Sequence, residues 1–258
     1  MIKKFFKLIK IISFISICVA FVAFIFERLD EKKYKNYKRH KPYGLYEQYI
    51  KRPIDVFLST GALIVFSPIL LVTALLVRFK LGSPILFTQN RPGRIDPCTN
   101  QPKIFKLFKF RTMTDKRDAD GNLLPDSERL TPFGKKLRLT SLDELPELFN
   151  VIIGDMSLIG PRPLLVQYLP YYTDVEQHRH DVRPGLSGLA QVNGRNLVKW
   201  NQRLAYDVRY VNRITFWDDI KIILLTIKKV LIKENVAADT ESVDEGYLDQ
   251  IRGNGLNE

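Results

Sequence analysis

The sequence predicts a helix-rich α/β fold attached to a membrane. Three observations predict it: a 22-residue charge-free apolar segment at 56–77, two short aromatic and β-branched runs at 85–87 and 104–110, and helical periodicity that is strongest at 217–232. The chain has 258 residues and 45% hydrophobic content, enough for one or two domains with a sizeable core. Its 40 Lys and Arg against 28 Asp and Glu, a net +12, suit an anionic partner: nucleic acid, anionic lipid or a phosphorylated substrate. Cys18 lies in an apolar stretch and Cys98 in a polar loop, which leaves no disulfide framework and no metal-ligand spacing.

The first element is the apolar segment 11–26. Phe5, Phe6, Leu8 and Ile9, interleaved with lysines, extend it upstream, so that 5–26 can cross a core of roughly 30 Å while the lysines snorkel. A cleavable signal peptide is the competing reading, with a basic start and a small-residue pattern ending at Ala20. Lys and Arg are denser at 28–41 than before residue 11, which favours a cytoplasmic downstream side.

The second element, 56–77, is flanked by Lys51 and Arg52 before it and by Arg78 and Lys80 after it. A full crossing would put one of those basic clusters on the wrong side. Near its middle stand Ser67 and Pro68. Proline removes a backbone donor and clashes one turn back, a kink or break worth about 3 kcal/mol in a regular helix. The segment is therefore either a kinked spanning helix or a helix that enters one leaflet and returns to the same face.

Beyond Lys80 the chain becomes mixed in character. The runs 85–87 and 104–110, bounded by Gly82, Pro84, Pro92, Gly93 and Pro97, form an expected strand pair. Residues 91–101 and 115–128 are expected loops. In the second, Asp118, Asp120 and Asn122 fail as an EF-hand, because Leu123 takes the glycine position and Arg129 that of the bidentate glutamate. Helical periodicity marks 145–153, 164–172, 204–211 and 217–232; the last is a basic amphipathic helix suited to a core or a membrane surface. After Glu234 the polar tail has little with which to build a core. His178 and His180 lie in a polar run and are expected at the surface.

Four clusters carry candidate chemistry. Asp143 and Glu144 lie in TSLDELPEL, 140–148, where a carboxylate pair can hold a divalent cation and supply a nucleophile. The same residues read structurally as a capping box, Ser141 with Glu144, opening the helix that follows. KFRTM, 109–113, puts Lys109 and Arg111 beside a hydroxyl. Arg162 is fixed between two prolines in SLIGPRP, 157–163, a stiff loop presenting a guanidinium fork suited to phosphate. RPGLSGLAQVNGR, 183–195, has three glycines that permit close backbone approach to a ligand, followed by Gln191, Asn193 and Arg195.

With those residues in view, the chain from about Lys51 to about Val243 resembles the bacterial sugar transferases, the monotopic phosphoglycosyl transferases. KRPID at 51–55, Ser67-Pro68, GSPILFTQ at 82–89 and the four clusters above occur in the family's order. Ser187 stands where threonine is more usual. The resemblance implies a membrane-embedded monotopic catalytic domain with a re-entrant helix broken at Ser67 and Pro68, resting on surface amphipathic helices. It implies transfer of a sugar 1-phosphate from a UDP-sugar to polyprenyl (undecaprenyl) phosphate, through a phosphosugar-aspartyl intermediate on Asp143, with release of UMP. Such a reaction initiates a surface glycan. Mg²⁺ is the implied cofactor, contacting Asp143, with Glu144 shaping the dyad; Lys109, Arg111, Arg162, Arg195 and Gln191 are the implied phosphate and nucleotide binders.

The expected organisation is an N-terminal membrane segment at 1–28, a basic linker at 29–50, the re-entrant helix at 51–80, the catalytic domain at 81–233 and a polar tail at 234–258. The expected location is the bacterial inner membrane with the catalytic domain facing the cytoplasm. Expected partners are the UDP-sugar, polyprenyl phosphate, the membrane and downstream glycosyltransferases, with no nucleic acid. No Gly-x-Gly-x-x-Gly fingerprint occurs in a strand-to-helix context, which argues against a Rossmann domain. Charge and anchoring alone would also suit a non-enzymatic basic membrane protein that binds nucleic acid or recruits glycan-synthesis partners.

Overall fold

The computed structural model describes residues 40–194, 198–232 and 246–253, with six helical positions of the N-terminal apolar segment: Phe14, Ile15, Cys18, Val19, Val22 and Ile25. The fate of 5–26 as span or signal, residues 29–39 of the basic linker and Arg195 lie outside them. A π-helical turn, Tyr46–Ile50, leads into α1, Lys51–Leu81, whose 31 residues continue through Pro68 without interruption. Pro68 deprives the Ile64 carbonyl of its ordinary donor, and the Ser67 hydroxyl replaces it at 2.8 Å. The Ser-Pro pair is thus absorbed within helical backbone on both sides. Any return of the chain to one face has to come from a bend inside α1.

Both ends of α1 dock on the rest of the chain. Lys51, Asp55 and Ser59, four residues apart, share one buried face. Lys51 donates to Asp219 at 2.6 Å, and Asp55 accepts from the Ser157 hydroxyl at 2.5 Å. Arg52 donates to the Val151 and Ile152 carbonyls at 2.6 and 3.1 Å. At the far end Val77 packs with Phe110 and Leu137. Between these anchors Val65, Phe66, Ile69, Leu71 and Val72 are exposed. Among the described residues, one helix is long and apolar enough to cross a membrane, Tyr46–Leu81.

The expected strand pair is an antiparallel hairpin, longer than its apolar runs suggest: β1, Leu86–Asp96, and β2, Gln101–Phe110, pair from Leu86 opposite Phe110 to Asp96 opposite Gln101. Residues 91–96, expected in a loop, belong to β1. The register slips between Pro92 and Ile95, where proline lacks a ladder donor. The segment after β2 holds two short helices, α2, Asp126–Arg129, and α3, Pro132–Leu139, the second capped by the Thr131 hydroxyl accepting from Gly134. α4 follows at Glu147–Ile153 and ends at Gly154 in the left-handed region, φ 96°.

A second sheet has two very short parallel strands, β3, Ser157–Ile159, and β4, Gly185–Ser187. They are too short to give a periodic signal. The glycines of 183–195 serve this junction: a Cβ on Gly185 would lie 2.0 Å from the Gly160 nitrogen, and one on Gly188 would lie 2.1 Å from the Gly160 carbonyl oxygen. The close approach expected for a ligand is, at these two positions, an approach of backbone to backbone.

The remaining helices are α5, Asp174–Gln177, α6, Leu189–Val192, α7, Trp200–Asn212, α8, Phe216–Ile232, and α9, Leu248–Gly253. Residues 166–171 form a 3-10 turn where an α-helix was expected; Pro170 lies inside it. α7 and α8 meet the periodicity that predicts them. α8 keeps Trp217, Leu224, Ile227 and Leu231 exposed while Asp219 and Ile222 are buried. α9 differs from the polar tail expected there: Leu248 is fully buried with Leu164, Tyr168, Tyr172, Trp200 and Leu204. Arg252 holds it down through Glu176 at 2.6 Å. His180 is also buried rather than surface-exposed, its ring bonded to the Gly93 carbonyl at 3.2 Å, whereas His178 is exposed.

Candidate active site

The acid pair does not cap a helix. Ser141 adopts a left-handed backbone, φ 54°, and its side chain makes no capping bond. A left-handed L-residue costs about 1–2 kcal/mol, a strain that persists only where the surroundings impose it. Leu142–Glu144 then form a 3-10 turn, and α4 starts three residues after Glu144. The expected capping box fails because the Glu144 carboxylate turns toward cations instead of back to residue 141. A complete capping box occurs elsewhere, at Thr173 and Glu176.

Those cations come from two distant segments. Lys109, at the end of β2, donates to Glu144 Oε1 at 2.8 Å. Arg162 donates to the same oxygen at 2.7 Å. Lys109 also pairs with Glu147 at 3.1 Å. Burial pushes Glu144 up, but Arg162 and Lys109 outweigh burial and hold its carboxyl well below the usual range. Glu147 is pushed up to about 7 by burial, with Lys109 opposing and Glu144 adding to the rise.

Asp143 is in a different setting one residue away. It is buried, and no donor among the described residues bonds its carboxylate. Burial pushes it above the usual carboxylate range and Glu144 adds to that, against the pull of Lys109, Arg138 and Arg162. An uncommitted carboxylate oxygen held next to positive charge is the arrangement a nucleophile needs: lone pairs free of donors, and cations to offset approach to an anion.

Asp143 and Glu144 open onto a cavity of about 680 Å³, within the usual size of a small-molecule site. Lys109, Arg111, Arg162 and Gln191, separated by up to 82 residues in sequence, line the same cavity. Gln191 is buried and neither atom of its amide has a partner among the described residues, which leaves a donor and an acceptor for a ligand. Arg111 also has protein partners within the wall. Its guanidinium donates to the Met113 and Ser83 carbonyls at 2.9 and 2.8 Å and pairs with Asp115, which fixes it in the wall of the cavity. Ser67 and Pro68 lie in α1, outside the cavity lining.

The cavity lining also includes charged residues that the sequence motifs do not mark as site residues, among them Arg138, Arg203 and Asp207, with Arg91 from the expected 91–101 loop. Arg138 bonds the Thr112 hydroxyl at 3.2 Å, and its place five residues before Asp143 was the available clue. Asp207 and Arg203, four apart on an amphipathic helix, read as a solvated face. Burial pushes Arg91 down to about 10, with Arg162 adding to the fall.

Among the described residues no three His, Cys, Asp or Glu side chains cluster to hold a metal ion. The donor set open to Mg²⁺ is the Asp143 carboxylate together with substrate phosphate. That set fits, because Mg²⁺ is usually bound through one or two carboxylates and substrate phosphates and not by an all-protein cage.

Residues 46–233 match the family model for bacterial sugar transferases. The chain is 49% identical over 187 residues to the uncharacterized sugar transferase EpsL of Bacillus subtilis, covering 72% of this chain and 90% of that protein. It is 40% identical over 195 residues to the UDP-glucose:undecaprenyl-phosphate glucose-1-phosphate transferase of Klebsiella pneumoniae, covering 72% of this chain and 41% of that protein. It is 35% identical over 195 residues to the UDP-N-acetylgalactosamine-undecaprenyl-phosphate N-acetylgalactosaminephosphotransferase of Aeromonas hydrophila, covering 71% and 44%. The chain thus spans less than half the length of those last two relatives.

Proposed function

The chain belongs to the bacterial sugar transferases, and from that premise we propose that it is a phosphoglycosyl transferase moving a sugar 1-phosphate from a UDP-sugar to polyprenyl phosphate. The observation that carries the proposal is the asymmetry of the acid pair: Glu144 held by two cations, Asp143 bonded by none among the described residues, both facing one cavity.

In the first displacement an Asp143 carboxylate oxygen attacks the phosphorus that bears the sugar. A new P–O bond forms to Asp143, the P–O bond to the bridging oxygen breaks, and UMP leaves with that oxygen. In the second, an oxygen of polyprenyl phosphate attacks the same phosphorus and the bond to Asp143 breaks. The products are polyprenyl diphosphate sugar and a regenerated carboxylate. Splitting the transfer lets one cavity serve donor and lipid in turn. Arg162 and Lys109 supply positive charge beside the transferring oxygens, and Glu144 fixes both cations in place. Asp143 is the residue that would hold Mg²⁺, which would supply further neutralisation of phosphate charge.

The length and packing of α1 support a reading of the membrane arrangement. A straight helix of 31 residues would be about 46 Å long, against a hydrocarbon core of roughly 30 Å. Lys51 and Asp55 at one end and Val77 at the other all pack on the same catalytic unit. We read α1 as re-entrant, bent near Pro68, with its exposed middle in one leaflet of the bacterial inner membrane and the catalytic unit on the cytoplasmic face. The exposed apolar face of α8, with Lys221, Lys228 and Lys229, suits the headgroup layer. The product would be extended by downstream glycosyltransferases into a surface glycan.

The relatives' names differ in the sugar, so the test is a panel. Full-length protein with Mg²⁺, polyprenyl phosphate and UDP-glucose, UDP-galactose or UDP-N-acetylgalactosamine should release UMP with at least one donor, and Asp143→Asn should release none. A folded protein inert toward the whole panel, or an Asp143→Asn variant with full activity, would favour the non-enzymatic reading.

A further inference from the structure

The loop that carries Arg162 takes most of its backbone bonds from other elements. Pro161 and Pro163 flank the arginine, so two of three successive residues have no backbone donor. Its carbonyls are fastened from outside instead. Tyr210 donates to the Ile159 carbonyl at 3.1 Å, the Gly185 amide to Pro161 at 2.9 Å, and Arg91 to Pro163 at 3.3 Å. The carbonyl of Arg162 itself accepts from Arg179 Nη2 at 2.6 Å, the shortest of the four.

Arg179 comes from the turn after α5 and is almost wholly buried. Its Nε and Nη2 donate to Asp207 Oδ2 at 3.1 and 2.8 Å, and its Nη1 donates to the Tyr172 hydroxyl at 3.4 Å. Every nitrogen of the guanidinium therefore has a partner. Asp207 sits on α7 and lines the cavity. A buried ion pair is a poor way to gain stability, since desolvation consumes most of the Coulomb gain, so its worth lies in geometry.

We propose that Arg179, oriented by Asp207, is a positioning residue that fixes the backbone from which Arg162 reaches Glu144 and the donor phosphates. It rests on the transferase reading for its effect on rate but on geometry alone for its effect on Arg162. Lysine at 179 would keep the charge beside Asp207, yet a single ammonium lacks the planar fork that spans the carboxylate and the Arg162 carbonyl together.

The experiment is a double-mutant cycle on the full-length protein in lipid nanodiscs, with wild type, Arg162→Lys, Arg179→Lys and the double variant. Misplacement of a positioned group by about 1 Å costs on the order of 100-fold in rate, so Arg179→Lys should lower kcat/KM for the UDP-sugar by about 10- to 100-fold. If Arg179 acts through Arg162, the double variant should match Arg162→Lys alone within about twofold. Losses that multiply, or an Arg179→Lys variant equal to wild type, would overturn the proposal. Should Arg179→Lys fail to fold, Asp207→Glu, which keeps the charge and moves the carboxylate, takes its place in the cycle.

A structure of the Arg179→Lys variant separates this inference from the transferase reading. The contact between Arg162 and Glu144, 2.7 Å in the wild type, should open beyond hydrogen-bond reach even if no donor is ever turned over. A contact left unchanged would refute the positioning role. Absence of turnover in the wild type would refute only the transferase reading.

Discussion

Asp143 and Glu144 are sequence neighbours in opposite electrostatic settings: both Lys109 and Arg162 close on one oxygen of Glu144, while no donor among the described residues reaches the carboxylate of Asp143. The pair divides into a carboxylate that gathers cations and a carboxyl group that no described donor holds. That division yields distinct expectations for the two residues.

Removing the Glu144 charge should cost stability as well as rate. Glu144→Gln leaves Lys109 and Arg162 with a neutral amide oxygen in place of the carboxylate they share, although Lys109 retains Glu147. Arg162 stays 41% exposed, so solvent screens part of the loss, and a destabilisation of about 1–3 kcal/mol is expected in chemical denaturation. A variant as stable as wild type would show that the contacts are incidental.

The reverse holds for Asp143. Burial and the Glu144 charge disfavour its ionised form in the folded state, so Asp143→Asn relieves a cost that folding bears. Activity should vanish while the thermal midpoint stays equal to that of wild type or rises. A fall of more than about 5 °C would mean that the carboxylate is structural.

Glu147 gives a pH dependence of stability. Its folded pKa, about 7, lies above its unfolded value, so the folded state binds the proton more tightly. The stabilisation is fully present below about 4.5 and is lost as pH rises through about 7. Glu147→Gln lacks this loss, so its thermal midpoint relative to wild type should climb between pH 5 and pH 8. Parallel melting curves across that range would contradict the assignment.

The membrane course of α1 can be read by labelling. With Cys18 and Cys98 replaced by serine, single cysteines at the exposed positions Leu45 and Phe79 should react with an impermeant maleimide from the same face of sealed vesicles. Reaction from opposite faces would make α1 a kinked spanning helix. Pro68→Ala, which restores the donor to Ile64, should straighten the helix and weaken the same-face pattern.

The sequence made some of this legible and concealed the rest for identifiable reasons. α8 and the apolar stretch of α1 were readable because their periodicity or length exceeds any competing signal. Lys109, Arg162, Gln191 and the acid pair were found as motifs, and they do share a cavity. The role of the Ser141 segment was misjudged because capping-box spacing is local, whereas the side chain of Glu144 answers to Lys109, 35 residues away. β3 and β4 were invisible at three residues each, and with them the reason for Gly185 and Gly188. The Arg179–Asp207 pair has no local sequence signal, since nothing in a single sequence shows that Asp207, a polar residue on an amphipathic helix, faces inward toward an arginine 28 residues away.

The central claim is that Asp143 carries the phosphosugar between donor and lipid. Full-length protein mixed with its UDP-sugar and Mg²⁺, without polyprenyl phosphate, and quenched within a single turnover should gain the mass of one phosphosugar, mapped to Asp143, with one equivalent of UMP released. Later addition of polyprenyl phosphate should discharge the adduct. UMP release that requires both substrates together, with unmodified protein at every time point, would contradict the account.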